Sequence, residues 1–313
     1  MKNTAFLFPG QGDQYVGMGK DFYDEFPIAR ETFEEADAIL GTKLSSIIFE
    51  GPEVTLTETK NSQAAIYVTS IAVLRVLQKQ FPMLKPDVCA GLSLGEYSAL
   101  TATGKVSFAE GLPLVRARGQ WMNDACEKTK GTMAAIIGLD GAVVEKMVKE
   151  LNLPNDLWVA NFNSPGQVVI SGTVEGIAKG IEAAKARGAK RAIQLQVHGA
   201  FHSWLMRAAE ERLLDKIDST CFVETRVDLV MNVVGDYVQG LAEIRRNLIK
   251  QVTSSVRWEQ GVQAMQARGV TLFVEMGCGA TLAGLNKRIG VSAPTVSIAK
   301  VKDLDRLAAI VDQ

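Results

Sequence analysis

Ser93 stands between two glycines in the run Gly91-Leu92-Ser93-Leu94-Gly95. G-x-S-x-G is the pattern of a nucleophile elbow, in which a serine sits on a sharp strand-to-helix turn with no Cβ crowding on either flank. A helix that starts just after it would aim free N–H groups at an oxyanion forming beside the hydroxyl. An ordinary glycine-rich turn could show the same five residues, so the chemistry needs a second group. A serine hydroxyl at its normal pKa is a poor nucleophile and requires a base within hydrogen-bond reach. The chain has two histidines, His198 and His202, both in QVHGAFHSWLM. His202 follows a Gly-Ala-Phe turn and opens an apparent helix, whereas His198 ends a strand. A loop position faces a cleft more easily than a strand end, so His202 is the favoured base. No acid between Ser93 and His202 has a distinctive setting. A dyad oriented by a neutral acceptor is therefore the expected form, in place of a full triad.

These residues need elements to hold them. Pro86-Asp87-Val88-Cys89-Ala90 is short and apolar, as a covered parallel strand would be, and Glu96-Tyr97-Ser98-Ala99-Leu100 starts a helical stripe. Strand and helix patterns alternate along nearly the whole chain, which predicts an α/β fold with a mainly parallel sheet. Residues 63–80 read as a long buried helix. Residues 107–126 read as another, with Ser107 as N-cap and Glu110 completing a capping box, and with Pro113 predicting a kink or a later start. In the middle, TMAAIIGLD, GAVVEKMVKEL, LWVANFN, QVVISGT, VEGIAKGIEAAKARG and AKRAIQLQV follow the order β-α-β-β-α-β of a ferredoxin-like unit. This unit is placed at 129–196, as an insertion between 1–128 and 197–313. Strand patterns resume in VDLVMNVVG, TLFVEMG and APTVSIA.

Composition narrows the class. A chain of 313 residues that is 47% hydrophobic can bury a large core. A net charge of −1 argues against nucleic-acid binding, and no apolar run approaches the roughly 20 residues of a membrane span. The first apolar stretch, of five residues, is too short for a signal peptide and reads as a first strand. Cys89, Cys126, Cys221 and Cys278 are scattered without a C-x-x-C pair. That predicts reduced thiols, a cytoplasmic setting and no zinc site. FPGQGDQYVGMGK fails as a phosphate loop, because Met18 stands where the lysine should be. As a glycine turn after a strand it can still present backbone N–H groups around Gln11.

FPGQGDQ, GLSLGEYSAL, RARGQWM, NFNSPGQVVISG, GAFHSWLM, QVTSSVRW and VEMGCGATLAGLNKRI occur in this order. Over essentially the whole chain, this set of motifs resembles the malonyl-CoA:acyl carrier protein transacylases. The resemblance implies an α/β-hydrolase-like large subdomain carrying an inserted ferredoxin-like small one. It implies Ser93 as nucleophile, His202 as base, and Gln251 as the acceptor that orients the imidazole. It also implies an oxyanion hole from the N–H groups of Gln11 and Leu94. By its own setting Arg118 reads as a surface arginine on a helix; the resemblance instead makes it the ligand of the malonyl carboxylate. Phe201, beside the base, would narrow the space near the malonyl Cα.

The implied partners are malonyl-CoA, as a substrate, and acyl carrier protein. No cofactor is implied, and a monomer is expected. The carrier is generally acidic, so a basic docking patch is expected. The candidates are Lys185, Arg187, Lys190 and Arg191 on the insertion, and Lys287 and Arg288 near the C-terminus. Three positions depart from the family pattern: Leu92 where many members have histidine, and Ser255 and Cys278 where proline is usual. His198 occupies a position that is often serine. A stand-alone acyltransferase serving a polyketide synthase and a serine esterase are the rival readings.

Overall fold

The apolar runs after each polar turn become the strands of a six-stranded sheet in a computed structural model of the chain, which describes residues 3–311. Its strands are β1 (Thr4–Phe8), β2 (Val88–Gly91), β7 (Asp228–Met231), β8 (Asp236–Val238), β10 (Leu272–Met276) and β11 (Thr295–Ile298), in the order β11-β10-β1-β2-β7-β8. Every neighbouring pair is parallel except the edge pair β7/β8. β1, β2 and β10 are buried at every position. That explains why they read as unbroken apolar runs instead of alternating ones. The helix Thr59–Gln80 is buried over most of its surface, from Thr59 to Leu77.

The second sheet is built from β3 (Thr132–Ile137), β4 (Leu157–Ser164), β5 (Gln167–Gly172), β6 (Arg191–Gln194) and β9 (Val256–Arg257). Its order is β6-β3-β5-β4-β9, antiparallel except for β4/β9. The first four strands, with helices Gly141–Leu151 and Val174–Ala186, follow the β-α-β-β-α-β path read from the sequence. They enclose an apolar cluster of their own, centred on Ile136, Met147, Leu157 and Ile170.

Some boundaries differ from the sequence reading. The second sheet takes its edge strand, β9, from the C-terminal part of the chain, and Ser255 Oγ donates to Val159 O of β4 beside it at 2.5 Å. The helix Phe108–Lys128 starts directly after Ser107, whose Oγ accepts from Glu110 N at 3.2 Å, and it runs through Pro113 with no later start. The Glu110 carboxylate turns away to Cys221 N, so only half of the capping box forms. No helix among the described residues is long and apolar enough to cross a membrane.

Candidate active site

β2 ends at Gly91, and the helix Gly95–Ala102 starts four residues later. Ser93 lies on the turn between them with φ 54°, in the left-handed region that a side-chain-bearing residue seldom adopts. The two glycines are required by contact. A Cβ on Gly91 would sit 1.9 Å from the carbonyl carbon of Gly95, and one on Gly95 would sit 2.1 Å from Phe8 O. The helix start is pressed against the ends of β1 and β2, and this is why the strand closes in Gly-Leu-Ser-Leu-Gly.

Ser93 Oγ lies 2.8 Å from His202 Nε2. His202, also left-handed at φ 57°, is buried. Its Nδ1 is 2.9 Å from Gln251 O and 3.2 Å from Ser254 O. Carbonyl oxygens only accept, so Nδ1 carries the proton and donates, and Nε2 is left to accept from the serine. Burial, then the nearby Arg118 cation, draws the imidazole down to about 4. At neutral pH it is an unprotonated base.

The acceptor that orients the ring is thus the main chain of Gln251, and its side chain has other duties. Gln251 Oε1 accepts from Arg118 Nη2 at 2.8 Å, and Nε2 donates to Ser93 O at 2.9 Å and to Glu96 Oε1 at 2.8 Å. Arg118 is 1% exposed, which corrects its reading as a surface residue. Its Nη1 donates to Gln63 Oε1 at 2.6 Å and its Nη2 to Ser93 Oγ at 3.1 Å, while its buried Nε has no protein partner. Burial draws the guanidinium below its ordinary pKa, against the opposing pull of Tyr97 and Glu96.

Two residues at the site escaped the sequence reading. Asn232, just past β7, accepts from Ser93 N through Oδ1 and donates to Gly91 O through Nδ2, both at 2.7 Å. It staples the two sides of the elbow. Glu96 is fully buried under the turn and accepts from Asn232 N at 2.6 Å as well as from Gln251. Burial pushes its carboxyl up to about 8, opposed by these donors and by Arg118.

Ser93, Arg118, Gln11, Phe201 and His202 line one cleft of about 370 Å³, whose walls come from β3, β4 and β5 of the second sheet and from turns and helices beside the first. Phe201 is almost fully buried in its wall. The N–H groups of Gln11 and Leu94 donate to no protein acceptor among the described residues. His198 stands on the same cleft with an exposed side chain, its Nε2 2.7 Å from Glu127 Oε1. It makes no hydrogen bond with Ser93. Of the basic residues considered for docking, Arg187 pairs with Glu150 at 2.7 Å and Arg288 donates to Gln167 Oε1.

Residues 5–302 match the acyl transferase domain family. The chain is 44% identical over 309 residues to the malonyl CoA-acyl carrier protein transacylase of Bacillus subtilis strain 168, covering 97% of this chain and 96% of that one. This chain belongs to the malonyl CoA-acyl carrier protein transacylase family. The Escherichia coli K12 transacylase is 42% identical over 289 residues, covering 92% of this chain and 93% of its own. Among solved structures, the transacylase of Clostridium perfringens superposes with a TM-score of 0.94 at 34% identity, over 99% of this chain and 97% of that one. A malonyl-transacylase solved in complex with a type II PKS acyl-carrier protein also gives 0.94, at 36% identity, over 99% of this chain and all of that one. The transacylase family is one of acyltransferase enzymes, and its α/β fold with one mostly parallel sheet is the fold seen here.

Proposed function

We propose that the protein transfers a malonyl group from malonyl-CoA to the phosphopantetheine thiol of acyl carrier protein, through a malonyl ester on Ser93. The observation that carries this reading is the pairing of Ser93 Oγ with both His202 Nε2 and the buried Arg118 fork. A nucleophile with its base is common to many acyl-transfer sites; a buried guanidinium on the same oxygen suits an acyl group that carries a carboxylate.

In the first half-reaction the Ser93 proton passes to His202 Nε2 as the C–O bond forms. The oxyanion is held by the N–H groups of Gln11 and Leu94. The C–S bond then breaks, and the coenzyme A sulfur takes the proton from His202. In the second half the carrier thiol gives its proton to His202 and attacks the ester, and Ser93 recovers the proton. One thioester is exchanged for another, so the balance calls for no cofactor. In this reading residues 129–196 are an inserted subdomain between 1–128 and 197–313, and the enzyme works as a cytoplasmic monomer. The product supplies fatty-acid synthesis. The likeness to a transacylase solved with a type II PKS carrier favours a polyketide carrier as the second candidate acceptor.

An esterase would be expected to place an acid on His202. Here Nδ1 meets two carbonyls, and the buried Glu96 bonds elsewhere. The test is mass spectrometry after incubation with malonyl-CoA alone. One malonyl mass is expected on the peptide holding Ser93, and it should outlive the turnover time measured with carrier present. Loss of the adduct at the turnover rate without an acceptor thiol would establish an esterase instead.

Phe201 yields a second expectation. Its ring narrows the cleft beside His202, so an extra methyl on the malonyl Cα has to be squeezed in, at about 1–3 kcal/mol. Malonyl should be preferred over methylmalonyl by roughly 5- to 150-fold in kcat/KM. Equal values for the two thioesters would remove Phe201 from the selectivity of the site.

A further inference from the structure

We infer that Glu96 is the positioning residue that fixes Arg118 for the malonyl carboxylate, acting through the side chain of Gln251. The inference rests on the malonyl reading above and adds to it a residue that touches no substrate.

The argument is one of donors and acceptors. The Gln251 amide can sit in either of two orientations related by a half-turn, and its neighbours decide between them. Its nitrogen faces two acceptors, Ser93 O and Glu96 Oε1, and its oxygen faces one donor, Arg118 Nη2. The reversed amide would set oxygen against oxygen twice and nitrogen against nitrogen once, in a site without solvent to relieve it. Glu96 supplies the acceptor most able to enforce this choice. It is itself immobilised, because its other oxygen is held by Asn232 N.

The arrangement also leaves the fork open. A carboxylate in direct contact with Arg118 would occupy the fork that a substrate carboxylate needs. With the amide between them, Glu96 sets the orientation of Gln251 without touching the fork. Arg118 itself is held by the neutral oxygens of Gln63, Gln251 and Ser93, and its Nε–H remains unengaged. Neutral acceptors position the guanidinium without neutralising it, so its attraction for an incoming carboxylate is kept.

Glu96→Gln is the diagnostic change, since it keeps the volume and removes one acceptor. Its single oxygen can serve either Asn232 N or Gln251 Nε2. Serving the first turns an NH2 toward the Gln251 NH2, which releases that side chain and the hold on Arg118. The readout is the ratio of malonyl to acetyl kcat/KM, since acetyl transfer does not use the fork. The ratio is expected to fall roughly ten- to hundredfold, the span for a hydrogen bond to a charged group. The loss should lie mainly in KM for malonyl-CoA. Glu96→Asp retains the carboxyl group and both of its oxygens on a shorter stem, and should fall between the parent and the glutamine variant. It carries the test if the glutamine variant does not fold. In an Arg118→Ala background Glu96→Gln should lower the ratio no further.

Equal losses for malonyl and acetyl would make Glu96 a support of the fold and overturn the inference. A further fall of the ratio in the Arg118→Ala background would do the same. If Arg118→Ala lowers the ratio and neither Glu96 variant does, the positioning inference falls alone. If Arg118→Ala leaves the ratio unchanged, the malonyl reading falls with it.

Discussion

His202→Ala is expected to slow acylation by malonyl-CoA roughly 10²- to 10⁴-fold, the usual worth of a positioned general base. His198→Ala should stay within about threefold, as for most exposed substitutions. Three features set the first expectation: the 2.8 Å approach of Nε2 to Ser93 Oγ, the tautomer forced by two carbonyls on Nδ1, and a pKa drawn down to about 4. The unprotonated form is the active one. The rate should therefore be full at neutral pH and fall as the pH drops through about 4, well below the ordinary histidine value near 6.5. His198 instead pairs with Glu127 on an exposed edge of the cleft, away from the serine. The measurement is the pre-steady-state release of coenzyme A across pH for both variants and the parent. A larger loss in His198→Ala would move the base to that residue.

The serine and histidine were legible in the sequence because each is marked by its neighbours: glycines that only a tight strand-to-helix turn requires, and a scarcity that leaves two candidates. Gln251 was legible through the resemblance alone. The group that meets His202 is a main-chain carbonyl, and every residue has one, so no side-chain pattern announces it. Arg118 read as a surface residue because its helix carries charges on several faces. Its burial depends on Gln63 from the helix Thr59–Gln80 and on Gln251, both far away in the chain. Glu96 sits in the first turn of a helix, where an acid is expected on electrostatic grounds and invites no further question. Asn232 did leave a signal. It is a lone amide just after the run VDLVM, past the end of the strand paired with the one that leads into the elbow. The parallel sheet was readable from its covered apolar runs. β9 was not, since two residues carry no periodicity and its pairing with β4 is set by packing of the C-terminal segment onto the second sheet.

Arg118→Ala should abolish the preference for a malonyl group while leaving the acyl-transfer machinery in place. Malonyl differs from acetyl by one carboxylate, which must leave water to bring its carbonyl carbon to Ser93. Arg118 is the cation that meets it: Nη2 is 3.1 Å from the attacking oxygen, and the buried Nε–H has no protein partner to give up. Removing one member of a buried charge pair costs about 3–5 kcal/mol, or roughly 10²- to 10³·⁵-fold in kcat/KM. Acetyl transfer should hold or rise, because an uncharged acyl group no longer faces an unpaired guanidinium. Lysine should rescue only partly, since a point charge cannot reproduce a two-pronged contact. The same substitution should also move the acid limb of the pH profile upward, because the Arg118 cation helps to hold His202 low. The deciding measurement is the ratio of malonyl to acetyl kcat/KM in variant and parent, taken with the pH dependence of acetyl transfer. A collapsed ratio with a raised acid limb places one guanidinium beside both the substrate carboxylate and the base. An unchanged ratio would mean that this buried arginine serves packing, and the malonyl assignment would lose its physical support.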